Sequence, residues 1–465
     1  MRMLVASVAA LLFAVGAAGG GVLEGGVHRL PRGFLFGAGT SSYQTEGAWD
    51  QDGKGVNVFD YAFHRDGNNV NGDIASDSYN RYREDIKLAA ELNLEVFRFS
   101  ISLARIFPDG NTTHVNKLGV KYYHNVIDEL LRYNIKPLIT ISHYDHPQAL
   151  EDAFGGWQSE RMVDVFVSYA DFLFQEYGHK VTLWTTLNEI NLHCSLVYNG
   201  MLAPGGNGDP ASVYRCIHHE ILAHARVYRL YEAKYKAAQK GSVGIGAVTM
   251  LARPNSTAHE DVDAARRANM FDGISILLHP IVYGDYPQTV RRTLEAKGRG
   301  CELPTFTAAQ KKLVVGAVDF LGLNAYNGKI VAAGTQSSSG GSNEGLGALA
   351  GPLSDADVTE VSIGDQRPLL QVTPWLLRDA PLYIKEHYGS GLKIFITENG
   401  RSSRGAHLDD WNTRAAYHSA YLRELTTAIN RDGANVIGYT AWAFLDSFEF
   451  DGAYGYVPSE RASTH

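Results

Sequence analysis

The sequence predicts an α/β protein folded as a (β/α)8 TIM barrel, and three observations carry that expectation. Short apolar runs alternate with longer amphipathic segments along most of the 465 residues. About eight of those runs end in polar residues, which is how buried parallel strands deliver side chains to a common rim. No G-x-G-x-x-G follows the first run and no P-loop is present, which disfavours an open nucleotide-binding sheet. A chain of this length suits one large barrel, since α/β barrels exceed the usual domain size. We therefore expect a single domain over residues 27–465.

The elements follow in order. Phe34–Thr40 reads as a first strand that breaks into a polar loop. Asp77–Leu92 is a helix with Tyr79, Tyr82, Ile86, Ala89 and Ala90 on one face, and it feeds the strand Glu95–Ser100. Gly119–Tyr133 leads into Lys136–Ser142 and then H-Y-D-H-P. Arg161–Tyr177 leads into Val181–Asn188, and Cys216–Lys236 into Val243–Met250. Asp261–Leu278 reads as one helix before the turn H-P-I-V-Y-G-D-Y-P. Val318–Asn324 is a strand, Pro374–Tyr388 a helix, and Lys393–Glu398 a strand. Thr413–Arg431 then leads to the strand Val436–Trp442. Right-handed crossovers join such units. Val331–Arg367 stands apart as a Gly/Ser-rich excursion, expected to be a mobile loop near the mouth.

Composition narrows the partners. With 45% hydrophobic and 20% charged residues the chain is that of a globular protein. The net charge of −8 comes without a basic stripe, which argues against nucleic acid. The first 20 residues carry one positive charge, an apolar run and then small residues, as a cleaved secretory signal does. That run is too short to span a bilayer, and no later segment qualifies, so we expect no membrane partner. A secreted or vacuolar protein follows, and the sequons at Asn111 and Asn255 become candidate glycosylation sites. Three cysteines exclude a dense disulfide framework. Cys216 reads as a core residue; one bridge is compatible with the count but not deducible. His218, His219 and His224 share a helix with Glu220 at spacings poor for chelation, so no metal site is expected.

The chemistry gathers at the strand ends, where Arg98, His143, Asn188, Glu189, Asn324, Tyr326 and Glu398 should face one mouth. Glu398 ends the run K-I-F-I-T-E before Asn399-Gly400 turns the chain. Glu189 ends V-T-L-W-T-T-L-N-E. Two carboxylates across a cleft suit acetal cleavage, because one must be protonated to release the leaving oxygen while the other attacks or activates water. Arg98 could hold one of them ionised by charge pairing. No H-E-x-x-H or G-x-S-x-G supports a rival chemistry.

With those motifs assembled, the chain resembles the family 1 glycoside hydrolases, the plant β-glucosidase type in particular, from about Pro31 to Gly455. The resemblance rests on F-L-F-G-A-G-T-S-S-Y-Q-T-E-G-A-W, F-R-F-S-I-S, H-Y-D-H-P-Q-A-L, T-L-N-E, D-F-L-G-L-N, I-T-E-N-G and G-Y-T-A-W-A-F-L-D-S-F-E-F, in that order. It implies that Glu398 is the nucleophile and Glu189 the acid/base. Gln44, His143, Asn188, Tyr326, Trp442, Glu449 and Phe450 would bind the sugar, and Arg98 would orient the nucleophile. The implied reaction is hydrolysis of β-glucosides with retention, the carboxylates about 5–5.5 Å apart, needing no cofactor or metal. A transglucosidase shares the covalent intermediate and is the alternative; a member that only binds glycosides is another.

The sequence departs from the family pattern in several places. Ile190 stands where Pro is usual, Tyr144 where Trp is common, Ala325 for a Tyr, Leu103-Ala104 within an S-W-S-R run, and Phe450 for a second Trp. The loop after Ala203-Pro204-Gly205 lacks the cysteine pair of many plant members. The final barrel helix is expected to be missing, which would leave apolar barrel surface beside the first and last strands uncovered.

Overall fold

Near-continuous burial along the strands shows that both of their faces are covered: one set of side chains faces a shared interior and the other faces helices. A computed structural model describes residues 29–65, 71–199, 209–334, 351–352, 354–361, 371–401 and 411–450. The leader, the Ala203–Gly205 turn, much of the Gly/Ser tract and the chain after residue 450 lie outside the described residues, so the expectations placed on them stay there.

The described strands are β1 (Leu35–Gly39), β2 (Val96–Ser100), β3 (Lys136–Ser142), β4 (Leu183–Leu187), β5 (Ser242–Thr249), β6 (Ala252–Pro254), β7 (Phe320–Ala325), β8 (Lys329–Ala333), β9 (Val358–Val361), β10 (Lys393–Glu398) and β11 (Val436–Trp442). Eight of them form a closed barrel in the order β1-β11-β10-β7-β5-β4-β3-β2, every pair parallel. The register Leu35↔Gly438 and Phe36↔Tyr439 joins the first strand to the last.

The main helices are α1 (Ser78–Glu91), α2 (Lys117–Arg132), α3 (Arg161–Tyr177), α4 (Ile190–Tyr198), α5 (Pro210–Lys234), α6 (His259–Phe271), α7 (Gly273–Tyr283), α8 (Leu376–Tyr388) and α9 (Trp411–Asn430). Their sequence explains them. In α3 the residues Met162, Val163, Phe166, Tyr169, Ala170, Leu173, Phe174 and Tyr177 recur at helical spacing and are all buried. Each large side chain so removed from water contributes roughly 1.5–3 kcal/mol. Asp209 caps α5 by accepting from Ala211 N, and Pro210 sits at its first turn, where a missing N–H costs nothing.

Two expectations change. The stretch read as one helix over Asp261–Leu278 is two, because Asp272 adopts an extended backbone (ψ 152°) and its side chain accepts from Ile274 N to start α7. The H-P-I-V-Y segment then continues α7, with Pro280 inside it, rather than turning. The second change concerns Val331–Arg367. Its described parts include β9 and the end of β8, which pair antiparallel, while β6 pairs parallel to β8. The β-branched residues Ile330, Val331, Thr359 and Val361 make strands on either side of the Gly/Ser-rich tract, most of which lies outside the described residues.

A small cluster of Val96, Leu138, Phe320 and Phe395, joined by Leu35, Leu183 and Ile437, draws on strand residues alone. It fills the barrel at the N-terminal ends of the strands. The rings have room because glycine faces them: a Cβ on Gly244 would lie 2.6 Å from the Phe320 ring, and one on Gly438 would lie 2.4 Å from that of Phe395. Above this floor the interior turns polar, with Arg98, Thr140, Thr185, Thr397 and Thr440 all buried.

The outward side chains of the first and last strands are not bare. Phe34, Phe36 and Ala441 keep 7% exposure or less, and Phe36 stacks on Tyr439 at 5.4 Å. The replacements at Leu103 and Ala104 are likewise buried, on a short helix whose Arg105 pairs with Glu46 at 3.0 Å. Among the described residues no helix is long and apolar enough to cross a membrane.

Candidate active site

Glu398 is the last residue of β10, and the turn that follows it is forced by close packing. A Cβ on Gly400 would lie 1.8 Å from the Trp442 carbonyl oxygen, so the Asn-Gly pair is needed for the chain to pass. Asn399 ties that end of the strand to its neighbours. Its amide donates to Ala325 O at 2.6 Å, and its Oδ1 accepts from Tyr439 at 2.9 Å.

The Glu398 carboxylate is held on both oxygens. Arg98 Nη1 reaches Oε1 at 2.5 Å, and the Tyr326 hydroxyl donates to Oε2 at 2.5 Å. Arg98 is completely buried. Its other groups are spoken for, with Nε on Thr140 Oγ1 at 3.1 Å and Nη2 on Asn188 Oδ1 at 2.7 Å. Trp442 lies beneath the guanidinium, 5.6 Å from ring centroid to Cζ. The Glu398 carboxylate is thus charge-paired in a buried site by a guanidinium whose remaining donors are also satisfied.

Glu189 sits in a different setting. It is the residue before α4, with φ +43°, and the helix begins at Ile190. That is why an isoleucine serves where proline is usual: the first helical N–H has no intrahelical partner in either case. Glu189 Oε1 accepts from Asn324 at 2.7 Å, while Oε2 meets the Tyr144 hydroxyl. Among the described residues no cation touches it directly. Burial, and next the charge of Glu398, push its carboxyl up to about 8; the Tyr144 and Asn324 hydrogen bonds and Arg98 pull the other way. The two acids thus face one mouth in opposite electrostatic environments.

The expected sugar-binding groups surround them. Asn188 donates to His143 Nε2 at 3.4 Å, and the His143 ring stacks on Trp442 at 5.6 Å and 6°. Burial and the neighbouring Arg98 keep His143 well below its usual pKa, so the ring is neutral, and its Nδ1 has no partner. Gln44 donates to Phe448 O at 2.8 Å and to Glu449 Oε2 at 3.4 Å, linking the loop after β1 to the segment after β11. Phe450 packs among Phe59, Tyr43 and Tyr144, with centroids 4.5, 5.9 and 5.6 Å away. The structure therefore brings together Arg98, His143, Asn188, Glu189, Tyr326, Glu398 and Trp442, with Gln44 and Glu449 joined beside them.

Two residues were under-read from sequence. Asn324 reads from sequence only as a strand-end polar residue, yet it bridges Glu189 and Asn188, and Thr397 fixes its amide by donating to Oδ1 at 2.6 Å. Tyr144 reads from sequence only as a departure from the family pattern, and it touches Glu189. The signal for both was their place at the strand ends, in L-N and H-Y-D.

Cys216 is a core residue as expected, but it is also bonded to Cys194, so α4 is tied to α5; Cys301 is free and exposed. His218, His219 and His224 have separate partners in Tyr286, Trp157 O, and Thr186 with Ala317 O. Glu220 instead reaches His193 Nδ1 at 2.7 Å. The two sequons lie apart from the mouth groups. Asn111 and Asn255 are both exposed, and Asn111 Oδ1 accepts from Thr113 N and Oγ1.

Comparison with known proteins agrees with this geometry. The family model described as Glycosyl hydrolase family 1 matches residues 27–457. Beta-glucosidase 12 of Oryza sativa subsp. japonica is 40% identical over 480 residues, covering 96% of this chain and 91% of the relative. Myrosinase 1 of Brevicoryne brassicae is 36% identical, covering 92% of each. Among solved structures, the rice Os3BGlu6 beta-glucosidase superposes with a TM-score of 0.83 at 35% identity, covering 92% of both chains. A mutant of that rice enzyme was solved in a covalent complex with Glc.

Proposed function

The chain belongs to glycosyl hydrolase family 1, and from that premise we propose that Glu398 is the nucleophile and Glu189 the acid/base of its β-glucosidase reaction. The enzyme is a retaining β-glycosidase acting on O-glucosides. The observation that carries the assignment of roles is the contrast between the two carboxylates. Glu398 has a buried guanidinium and a phenol on its two oxygens, whereas burial and the negative charge of Glu398 hold Glu189 protonated up to about 8.

The chemistry follows from this contrast. Glu398 Oε attacks the anomeric carbon as Glu189 gives its proton to the leaving oxygen, and the aglycone departs as an alcohol. The glycosyl ester that results removes the negative charge at Glu398, so Glu189 becomes easier to keep ionised and can accept a proton from water. Water then bonds to the anomeric carbon and Glu398 is released. Asn188, His143, Gln44, Trp442, Glu449 and Phe450 are proposed to bind the glycone, Tyr326 and Arg98 to orient Glu398. The neutral His143 with its unpartnered nitrogen supports a hydroxyl contact there.

We also propose entry into the secretory pathway, on the leader-like first 20 residues, with delivery outside the cell or to the vacuole. Asn111 and Asn255 are proposed glycan acceptors, and their exposure supports this.

The test is turnover of a panel of aryl β-D-glycosides, an aryl β-D-thioglucoside among them, with the first-formed sugar read by proton NMR. β-Glucose from the β-glucoside is expected. α-Glucose as the first product, or no turnover by folded protein, would overturn the proposal. Glucosylated alcohol forming in preference to glucose would favour the transglucosidase reading.

A further inference from the structure

We propose that Tyr144 is a positioning residue for the acid/base, its phenol holding one Glu189 carboxyl oxygen in place and stabilising the carboxylate each time the proton leaves. This inference rests on Glu189 being the acid/base.

The geometry gives the phenol one direction in which to donate. Tyr144 Oη accepts from Asn188 Nδ2 at 3.2 Å, which leaves its own hydrogen for Glu189 Oε2. Asn324 occupies the other carboxyl oxygen. With both oxygens assigned, the carboxyl plane is fixed. A carboxyl held in this way meets the leaving oxygen in one orientation rather than searching for it.

The ring is clamped as firmly as the hydroxyl. One face stacks on His193 at 5.0 Å and 8°, and His193 is itself fixed through Nδ1 to Glu220, both buried. His143 and Phe450 close the remaining sides at 5.0 and 5.6 Å. Both partners also hold left-handed backbone conformations without being glycine, with φ +76° at Tyr144 and +43° at Glu189. Such conformations persist where surrounding packing imposes them, and they concentrate at functional sites.

The protons balance without Tyr144 ever losing its own. In the first half, Glu189 passes its proton to the leaving oxygen as the glycosidic bond breaks, and the phenol donates a hydrogen bond to the new carboxylate. In the second half, water yields a proton to Glu189 as its oxygen bonds to the anomeric carbon. The titratable or charged groups facing this pair are Glu398 from β10, Arg98 from β2, His143 after β3, Tyr326 after β7, His193 from α4 and Glu220 from α5. Burial lowers the His193 pKa to about 3 and raises that of Glu220 well above its ordinary value, each disfavouring the charged form. Burial also pushes the Tyr144 phenol well above its usual range.

The experiment compares wild type, Tyr144→Phe, Tyr144→Leu and Glu189→Ala. Phenylalanine keeps the packing and removes the hydroxyl. For a β-glucoside with a poor leaving group, Tyr144→Phe is expected to lower kcat/KM by about 10- to 100-fold, as loss of one charge-assisted hydrogen bond does. It should also move the alkaline limb of the pH profile upward, since a donor to the carboxylate has gone. Covalent trapping by 2-deoxy-2-fluoro-β-glucosyl fluoride, whose leaving group needs no protonation, should stay within about 2-fold. A profile and leaving-group dependence identical to wild type would overturn the proposal. So would an equal loss on both substrates, or an effect seen only in Tyr144→Leu, which is what a packing role predicts. If Tyr144→Phe does not fold, Tyr144→Met, which also lacks a donor, takes its place under the same criteria. Glu189→Ala separates the underlying assignment: azide should restore its turnover of an activated β-glucoside as β-glucosyl azide. Failure of that arm strikes the acid/base reading itself rather than Tyr144.

Discussion

Arg98 Nη1 lies 2.5 Å from Glu398 Oε1, a contact made across 300 positions of sequence in a place that excludes water from the guanidinium. Removing the cation should therefore strand a buried carboxylate. Arg98→Met is expected to lose about 3–5 kcal/mol of stability, the usual cost of breaking a buried pair from one side. It should also lower kcat/KM, because the nucleophile loses the group that orients it. Urea denaturation and steady-state kinetics check both parts; unchanged stability would contradict the pairing.

Glu398→Ala should reduce glucoside hydrolysis by on the order of 10⁴-fold or more, as loss of a nucleophile does. Azide occupying the vacated space would attack the same face, so an activated glucoside should give α-glucosyl azide. Recovery of the β-azide instead would mean that the roles of the two acids are reversed.

Activity should decline with rising pH through about 8, where Glu189 gives up the proton it must donate. Stability carries the opposite charge of the same fact. Glu189 has its pKa raised on folding, so between its unfolded value near 4.3 and about 8 the folded state binds more protons, and stability falls as pH rises. Glu189→Gln removes that slope. Its melting temperature at pH 8 should exceed wild type by ~2–4 °C, the difference shrinking toward pH 4. Calorimetry across that range is the measurement, and parallel curves would count against the raised pKa.

The Cys194–Cys216 bond closes a loop over 22 positions. Replacing both residues with serine should cost about 3 kcal/mol through the entropy of the unfolded chain. Dithiothreitol should lower the melting temperature of wild type and leave the double variant unchanged. Equal midpoints for the two proteins would argue that the bridge contributes nothing.

Much of this was legible in the residues, and the exceptions share a cause. Lys136–Ser142, Lys393–Glu398 and Val436–Trp442 are strands at the bounds their apolar runs suggest. A strand that is buried on both faces reads as a continuous apolar run, so its ends are where polarity begins. Arg161–Tyr177 was equally clear because its helical stripe is unbroken. The division at Asp272 was not, since an aspartate within a helical pattern becomes a cap only when the chain bends there. At the site, the carboxylates and Arg98 announced themselves by residue type. Tyr144 and Asn324 did not: tyrosine and asparagine are common at strand ends, and only the fold brings their hydroxyl and amide onto Glu189. The Cys194–Cys216 pairing depends in the same way on how α4 and α5 meet.

The apolar floor of Val96, Leu138, Phe320 and Phe395 makes the barrel a vessel with one opening. Whatever enters past Gln44 and Trp442 must leave the same way. The alcohol, nearer the rim, departs first, and the sugar that lies deeper leaves last. Free glucose and fresh substrate then contend for a single doorway, so glucose should act as a competitive product inhibitor. A closed floor also means that sugars are taken one at a time from a chain end, because an internal unit has no passage through which its second neighbour could extend.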